Sequence, residues 1–351
     1  MRVTRKDVSR LAGVSEQTVS YVLNDSRKFS KDVVDRVNKA IETLHYKPDM
    51  VAKSMVKKKT DTVAIIVRDM ANPIFPAIIH GFQEQAAECG YSVYISDVAG
   101  SGDVEKQVND LIARRIDGIY ISLVSERNLN EIVSRFLDNN VKVVLGNKEE
   151  TVKESLPVVE ADMDGGMRKI VAYLKEKGHK DIVYLNGLNP EQKSDRRFSA
   201  FVDEYYKEFG KKPSVINDDA PYSTTVEDGM RLTDKLLSEN VPFSAIIATN
   251  DLMAYGVIDK LKERGYRVPD DVSVVGIDDI MYSKYINPPL TTLGYDYKML
   301  GKKIFRVLYS EICGERTSET NEETYIVERN TVKDILSLIH ISEPTRQAEI
   351  S

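Results

Sequence analysis

Beyond residue 60 the sequence alternates short apolar runs with longer amphipathic stretches, and this alternation decides the class of fold. Thr62-Val-Ala-Ile-Ile-Val67 is a continuous apolar run, as carried by a parallel strand buried on both faces. Phe75–Cys89 then shows helical periodicity and ends at Gly90. Strand-like runs recur at Tyr91–Ser96, Gly118–Ser122, Lys142–Leu145, Asp181–Leu185, Ser214–Ile216, Ala245–Ala248 and Ser273–Gly276. Helix-like stretches lie between them, at Val104–Arg114, Leu129–Asn139, Gly166–Lys177, Arg197–Phe209, Val226–Glu239 and Leu252–Arg264. Repeated β-α units make open parallel sheets with right-handed crossovers. The units are too many for one comfortable sheet, so an α/β body of two doubly wound parallel-sheet subdomains is expected.

Such sheets bind ligands beyond the carboxyl ends of their strands. The residues that follow the strand-like runs are Asp69-Met-Ala-Asn72-Pro-Ile-Phe75, Asp195-Arg196-Arg197, Thr249-Asn250-Asp251 and Ile277-Asp278-Asp279. Taken singly each has a plain structural use, for Asn250 and Asp251 suit a helix cap and Asp278 and Asp279 suit a turn. Gathered at converging strand ends, with Phe75 and Tyr222 as stacking faces, they suit a polyhydroxylated molecule. Planar bidentate groups match neighbouring hydroxyls, and an aromatic face covers the C–H side of a sugar ring.

The first sixty residues differ in kind. They hold 14 Lys+Arg against 7 Asp+Glu, a net +7, whereas the remaining 291 residues carry −13. A cationic segment on an anionic body points to a polyanion at one end only. Thr4 and Asp7 are spaced to cap a first helix reciprocally. Val8, Leu11 and Ala12 give it one apolar face, Gly13 permits a sharp turn, and Val14 plugs the angle. Ser15 caps a second helix with Val19, Val22 and Leu23 inward, leaving Glu16, Gln17, Ser20, Tyr21 and Asn24 outward. A third helix follows Ser30, with Val33, Val34, Val37, Ile41 and Leu44 as its stripe. Three short helices with a tight glycine turn form the helix-turn-helix module.

The run Thr4-Arg-Lys-Asp-Val-Ser-Arg-Leu-Ala-Gly-Val-Ser-Glu-Gln-Thr-Val-Ser-Tyr-Val-Leu-Asn24, with Leu44-His-Tyr-Lys-Pro48 and Val51-Ala-Lys-Ser-Met55, resembles the lactose-repressor/galactose-repressor (LacI/GalR) family of bacterial regulators. Asn72-Pro-Ile-Phe75, Thr249-Asn-Asp-Leu-Met-Ala254, Gly276-Ile-Asp-Asp279 and Pro288-Pro-Leu-Thr-Thr292 resemble its body motifs. The resemblance implies a helix-turn-helix head on a periplasmic-binding-protein-like core. It implies that Glu16, Gln17 and Tyr21 hold the specificity positions, and that Thr4, Ser15, Ser20, Asn24 and Ser30, with Thr18 beside them, meet operator DNA. Gln reads adenine and Glu accepts from cytosine in the major groove. It further implies a short hinge helix, Met50–Val56, flanked by Lys53, with Met55 as a minor-groove wedge. Effector contacts are implied for Phe75, Arg197, Asn250 and Asp278, and the reading of the strand ends adds Asn72 and Tyr222. Gly146 is assigned no role, and His179 in Gly178-His179 is read as structural.

The expected organisation is a head at 1–46 and a hinge at 47–60. A first core subdomain follows at 61–161 with 290–319 returning to it, then a second at 162–289 with 320–335 returning to it. Leu336-Ser-Leu-Ile-His-Ile-Ser-Glu-Pro-Thr-Arg346 breaks the body pattern, so 336–351 reads as an artefactual tail. The expected function is a repressor, at least dimeric and open to a tetramer, that binds a near-palindromic double-stranded operator. A small effector, a sugar or sugar derivative, would bind between the core subdomains and change operator affinity. The rival reading is a periplasmic-type sugar-binding protein. The cationic head and the lack of a signal peptide argue against it and for the cytoplasm. No apolar run suits a membrane span. Neither a dinucleotide fingerprint after the first strand, a Walker sequence nor a nucleophile–His–acid set occurs, so no enzyme and no cofactor are expected. The four scattered histidines support no metal, and Cys89 and Cys313 read as buried apolar fillers.

Overall fold

The computed structural model describes residues 3–24, 29–47, 59–98, 103–122, 128–147, 152, 155–187, 196–217, 224–315 and 321–336. The chain divides into two compact units at Asp61 and Thr62.

The first unit contains helices α1 (Arg5–Ala12), α2 (Glu16–Asn24) and α3 (Lys31–Leu44). Val8, Ala12, Val19, Val22, Val37, Ala40 and Tyr46 form its core. Gly13 takes φ +65°, the left-handed conformation that ends α1 and starts the turn. Two expected core residues face outward: Leu11 is 53% exposed and Leu23 37%. The buried arc of α1 runs through Val8, Ser9 and Ala12, which turns Leu11 away. Ser9 tolerates that place because its hydroxyl donates to the Lys6 carbonyl at 2.9 Å. In α2 the arc centres on Val19 and Val22, so Leu23 lies past its edge. The expected hinge helix, Met50–Val56, with Lys53 and Met55, lies outside the described residues.

The second unit opens with β1 (Thr62–Val67), α4 (Ile74–Glu88), β2 (Ser92–Asp97), α5 (Val104–Ala113), β3 (Gly118–Ser122), α6 (Leu129–Asp138) and β4 (Lys142–Leu145). These make a parallel sheet ordered β2-β1-β3-β4. Next come α7 (Met163–Glu176), β5 (Ile182–Asn186), α8 (Arg196–Phe209), β6 (Ser214–Asn217), α9 (Val226–Ser238), β7 (Ala245–Ala248), α10 (Asp251–Glu263) and β8 (Ser273–Ile277). After a 3-10 turn at Met281–Lys284 follow β9 (Thr291–Tyr295), α11 (Tyr297–Cys313) and β10 (Thr324–Val327). The second sheet runs β10-β9-β8-β7-β5-β6, parallel except for β10 on β9.

The apolar run of β1 is explained by its two covered faces. Val63, Ile65 and Val67 pack into one core with α4 and α11, and Ala64 and Ile66 into another with α5 and α6. Each such side chain, fully buried, contributes roughly 1.5–3 kcal/mol. The second sheet is covered in the same manner, with α9 and α10 on one face and α7 and α8 on the other.

The return at 290–319 needs correction. Strand β9 pairs with β8 and so stays in the second sheet. Helix α11 packs on the first, through Leu300, Ile304, Phe305 and Leu308, and Tyr295 at the end of β9 joins that core. The missed signal is Thr291–Tyr295, a short run after two prolines. The Ile335 amide donates to the Lys177 carbonyl, just past the end of α7, at 3.0 Å. Residues 337–351 lie outside the described set. A second correction concerns Cys89 and Cys313, which are exposed rather than buried. Both stand where a helix ends, beyond its inward stripe.

Candidate functional sites in the head and the body

In the head, local hydrogen bonds prepare a polar surface. The Asp7 carboxylate accepts from the Thr4 amide at 2.9 Å and the Thr4 hydroxyl at 2.6 Å. Those bonds hold its pKa below the ordinary value. The Ser15 hydroxyl accepts from the Thr18 amide at 3.0 Å and meets the Thr18 hydroxyl at 2.9 Å, which caps α2. One turn on, the Gln17 side-chain amide donates to the Tyr21 hydroxyl at 3.4 Å. Tyr21 is held from behind by Phe29, with ring centroids 6.4 Å apart and planes at 30°. Thr4, Ser15, Glu16, Gln17, Tyr21 and Ser30 are exposed, and Thr18 and Ser20 are half-buried. Asn24 ends α2. A helix whose first turn offers short polar side chains, with a cap fixing its entry, has the form of a groove-reading helix.

In the body, a cavity of about 140 Å³ lies at the carboxyl ends of both sheets. Five of the six expected effector residues line it: Asn72, Phe75, Arg197, Asn250 and Asp278. The sixth, Tyr222, lies outside the described residues. Asn72 and Phe75 come from the turn after β1, where the Asn72 side-chain oxygen accepts from the Ile74 amide at 3.2 Å. Arg197, in the first turn of α8, donates to the Thr249 carbonyl at 3.2 Å. Asn250 is both a cap and a lining residue. Its oxygen accepts from the Met253 amide at 2.9 Å, while its nitrogen donates to the Thr224 carbonyl at 3.1 Å. The two uses are compatible because an amide has further sites in the plane.

Asp278 is 3% exposed and holds φ +114°, followed by Asp279 at +50°. Non-glycine residues seldom adopt such angles, and strain of this kind costs about 1–3 kcal/mol unless the surroundings impose it. The surroundings are specific. The fully buried Asp251 carboxylate accepts from the Ile280 amide at 2.9 Å, the Ser283 hydroxyl at 2.5 Å and the Thr292 hydroxyl at 2.5 Å. Arg329 donates to the Asp279 carboxylate at 2.6 Å and to the Leu290 carbonyl at 2.8 Å. Burial, and then the charge of Asp278, push Asp251 up to about 8 against the pull of its donors. Asp251 thus ties α10, the Asp278 loop and β9 together, and sets where the Asp278 carboxyl points.

Arg196, already marked by its strand-end position, lines the cavity as well, and Tyr120, Glu160 and Tyr295, which the sequence reading did not mark, also face it. Burial raises the Glu160 carboxyl, opposed by Arg196. Arg196 itself donates to Asp164 at 3.1 Å. Gly146 acquires a use as well: a Cβ there would stand 2.5 Å from the Tyr120 hydroxyl, so its absence admits that ring to the wall. Strand-end position would have flagged Ser122 and Gly146. Nothing local marks Glu160, which precedes no helix and follows no strand.

The signature described as bacterial regulatory proteins, lacI family, matches residues 4–49, and that of a periplasmic binding protein-like domain matches residues 171–332. The chain is 31% identical over 330 residues to the HTH-type transcriptional repressor PurR of Histophilus somni (strain 129Pt), covering 93% of this chain and 95% of the relative. It is 31% identical over 342 residues to PurR of Vibrio parahaemolyticus, covering 95% and 99%. Among solved structures it is similar to a lac repressor dimer bound to operator and the anti-inducer ONPF, with TM-score 0.81, 26% identity and coverage of 95% and 100%. It is also similar to a transcriptional regulator CelR–cellobiose complex, with TM-score 0.69, 26% identity and coverage of 94% and 100%. With head and body signatures in order and relatives matched along nearly their whole length, the chain belongs to the lacI family of bacterial regulatory proteins.

Proposed function

We propose that a small polyhydroxylated molecule, a sugar or sugar derivative, enters the body cavity and thereby sets the operator affinity of the head. The protein is a DNA-binding transcriptional repressor of its family and not an enzyme, as its PurR relatives are repressors. The observation that carries the proposal is the meeting of Arg197, Asn250 and Asp278 with the Phe75 ring in one cavity. A fixed guanidinium, an amide and a carboxylate supply donors and acceptors to adjacent hydroxyls, and the ring covers an apolar face. The CelR–cellobiose complex supports a carbohydrate. A planar heterocycle is the second reading, favoured by Tyr120 and Tyr295 beside Phe75 in the wall.

The chain passes between the sheets three times: after β4, between β9 and α11, and between α11 and β10. A ligand touching both sheets therefore favours one mutual angle over another, and reciprocal coupling to DNA follows by linkage. Two heads of a homodimer would read the halves of a near-palindromic operator, with Gln17 and Glu16 at base edges. The dimeric, operator-bound state of the lac repressor supports this. No helix among the described residues is long and apolar enough to cross a membrane. We place the protein with its operator in the cytoplasm.

The test is calorimetry of the full chain against monosaccharides, disaccharides, nucleobases and nucleosides, followed by operator binding with each hit. Binding of a sugar that shifts operator affinity supports the first reading. A response to bases alone supports the second, and no response to either class defeats both.

A further inference from the structure

The chain has two cysteines, Cys89 and Cys313, far apart in sequence. Each closes a helix, for Cys89 directly follows α4 and Cys313 is the last residue of α11. These two helices pack against each other at very short range. A Cβ on Gly81 would lie 2.1 Å from the Lys298 carbonyl oxygen, and one on Gly301 would lie 2.0 Å from that of Ile78. Further along, Phe82 meets Phe305 edge-on at 5.4 Å, and Arg306 donates to the Gln85 side chain at 3.0 Å. Just past the end of α4, Tyr91 meets Tyr309 at 5.9 Å. From Ile78–Gly301 through Phe82–Phe305 and Gln85–Arg306 to Tyr91–Tyr309 the paired positions advance together, so the helices are parallel and their carboxyl ends emerge side by side.

That arrangement brings both thiols to one exposed spot. The Tyr309 phenol, one turn before Cys313, is raised chiefly by Cys313 and also by burial and by Cys89. The Cys89 thiol is raised by partial burial, then by Glu88, then by Cys313 itself. Two cysteines at neighbouring ends of helices locked by backbone contact differ from two independent surface cysteines. Neither thiol belongs to the effector cavity, because the spot lies at the amino-terminal edge of the first sheet. Ser92, just beyond Cys89, pairs there with Thr62, whereas the cavity opens at the opposite edge.

We propose that Cys89 and Cys313 are a dithiol pair that a hydroperoxide closes to an intramolecular disulfide. One thiolate attacks the peroxide, the O–O bond breaks, and a sulfenic acid and water form. The second thiolate then attacks the sulfenic sulfur, the S–S bond forms, and the oxygen leaves as a second water. Two sulfurs are oxidised, the two peroxide oxygens are reduced, and both thiol protons end in water. Cys89, with its raised thiol, is the weaker first nucleophile and acts as the resolving partner. The bond closes a loop spanning most of the body and staples α11 to α4, which raises resistance to unfolding.

The experiment treats the reduced full chain with stoichiometric hydrogen peroxide, alkylates it and maps the peptides. The expected result is a single cross-linked pair holding Cys89 and Cys313 within one chain, loss of both alkylatable thiols, a higher unfolding midpoint, and full reversal by dithiothreitol. Cys89→Ser is expected to leave Cys313 as a sulfenic acid that dimedone traps, with no rise in midpoint. Both positions are exposed, so these variants retain the fold. Cysteines that oxidise separately, or that bridge only between chains, overturn the proposal. Effector and operator affinities do not enter this readout, so it stands or falls apart from the functional reading above.

Discussion

The head and the body organise their working surfaces by opposite means. In the head the hydrogen bonds that prepare the reading face are local: Thr4 with Asp7, Ser15 with Thr18 and Gln17 with Tyr21 are three or four residues apart. In the body the decisive contacts are remote: Asp251 holds Ser283 and Thr292, and Arg197 reaches Thr249. Helical spacing alone builds a reading face. A cavity between two sheets exists only after the sheets have formed. A helix face can therefore be altered one residue at a time with little effect elsewhere, whereas each cavity residue also holds part of the scaffold.

The sharpest way to break that contrast lies in the cavity. Arg197→Ala removes a guanidinium that meets both scaffold and ligand. It should weaken effector binding by about 2–5 kcal/mol, roughly 30-fold or more, with operator affinity retained. Calorimetry beside operator titration reads both, and an unchanged effector affinity would remove Arg197 from the site. Asp251→Ala comes next. It leaves the Ile280 amide and two hydroxyls without their acceptor and frees the strained Asp278 loop, so urea unfolding should show a loss of about 3 kcal/mol together with weaker effector binding. A stability loss with intact effector affinity would mean that Asp251 holds the fold without setting Asp278.

What could be read in advance follows the same division. The capping of α1 and α2 and the Gly13 turn were legible because they depend on residues within one or two turns. Leu11 and Leu23 were misplaced because periodicity gives an arc, and only packing against α3 decides where the arc is centred. In the body the β-α order and five lining residues were legible from strand ends. Glu160 and Tyr295 were not, since their approach depends on where the chain crosses between sheets. The place of β9 was missed for that reason as well. The two cysteines were misread because apolar character says nothing about standing beyond the end of a helix.

Gln17→Ala sharpens the head's side of the contrast. Gln17 is exposed and its side-chain amide makes a long hydrogen bond to Tyr21, so the variant should retain its stability. Competition binding across operator variants should show a loss of about 1–3 kcal/mol confined to one base position. A loss spread evenly over all sequences would recast Gln17 as a phosphate contact.

The smallest effect concerns His179, where a short motif hides a long-range role. Its ring is 1% exposed and joins three distant segments. The Nε2 atom faces the Lys333 carbonyl at 3.1 Å, which only accepts, so Nε2 carries the proton. Nδ1 of the neutral ring then accepts from the Ser244 hydroxyl at 2.9 Å. Burial lowers the folded-state pKa below the ordinary 6.5, more strongly than the Lys333 carbonyl and Asp334 raise it. Below pH 6.5 the unfolded chain therefore binds the proton first. This group's contribution is fully present above 6.5 and declines as pH falls from there through the folded value. Unfolding midpoints taken from pH 7.5 downward should fall more steeply in the parent chain than in His179→Gln, which cannot titrate. Parallel curves would show that protonation here is no strain on the joint, and that even the buried contacts of the body can be as forgiving as those of the head.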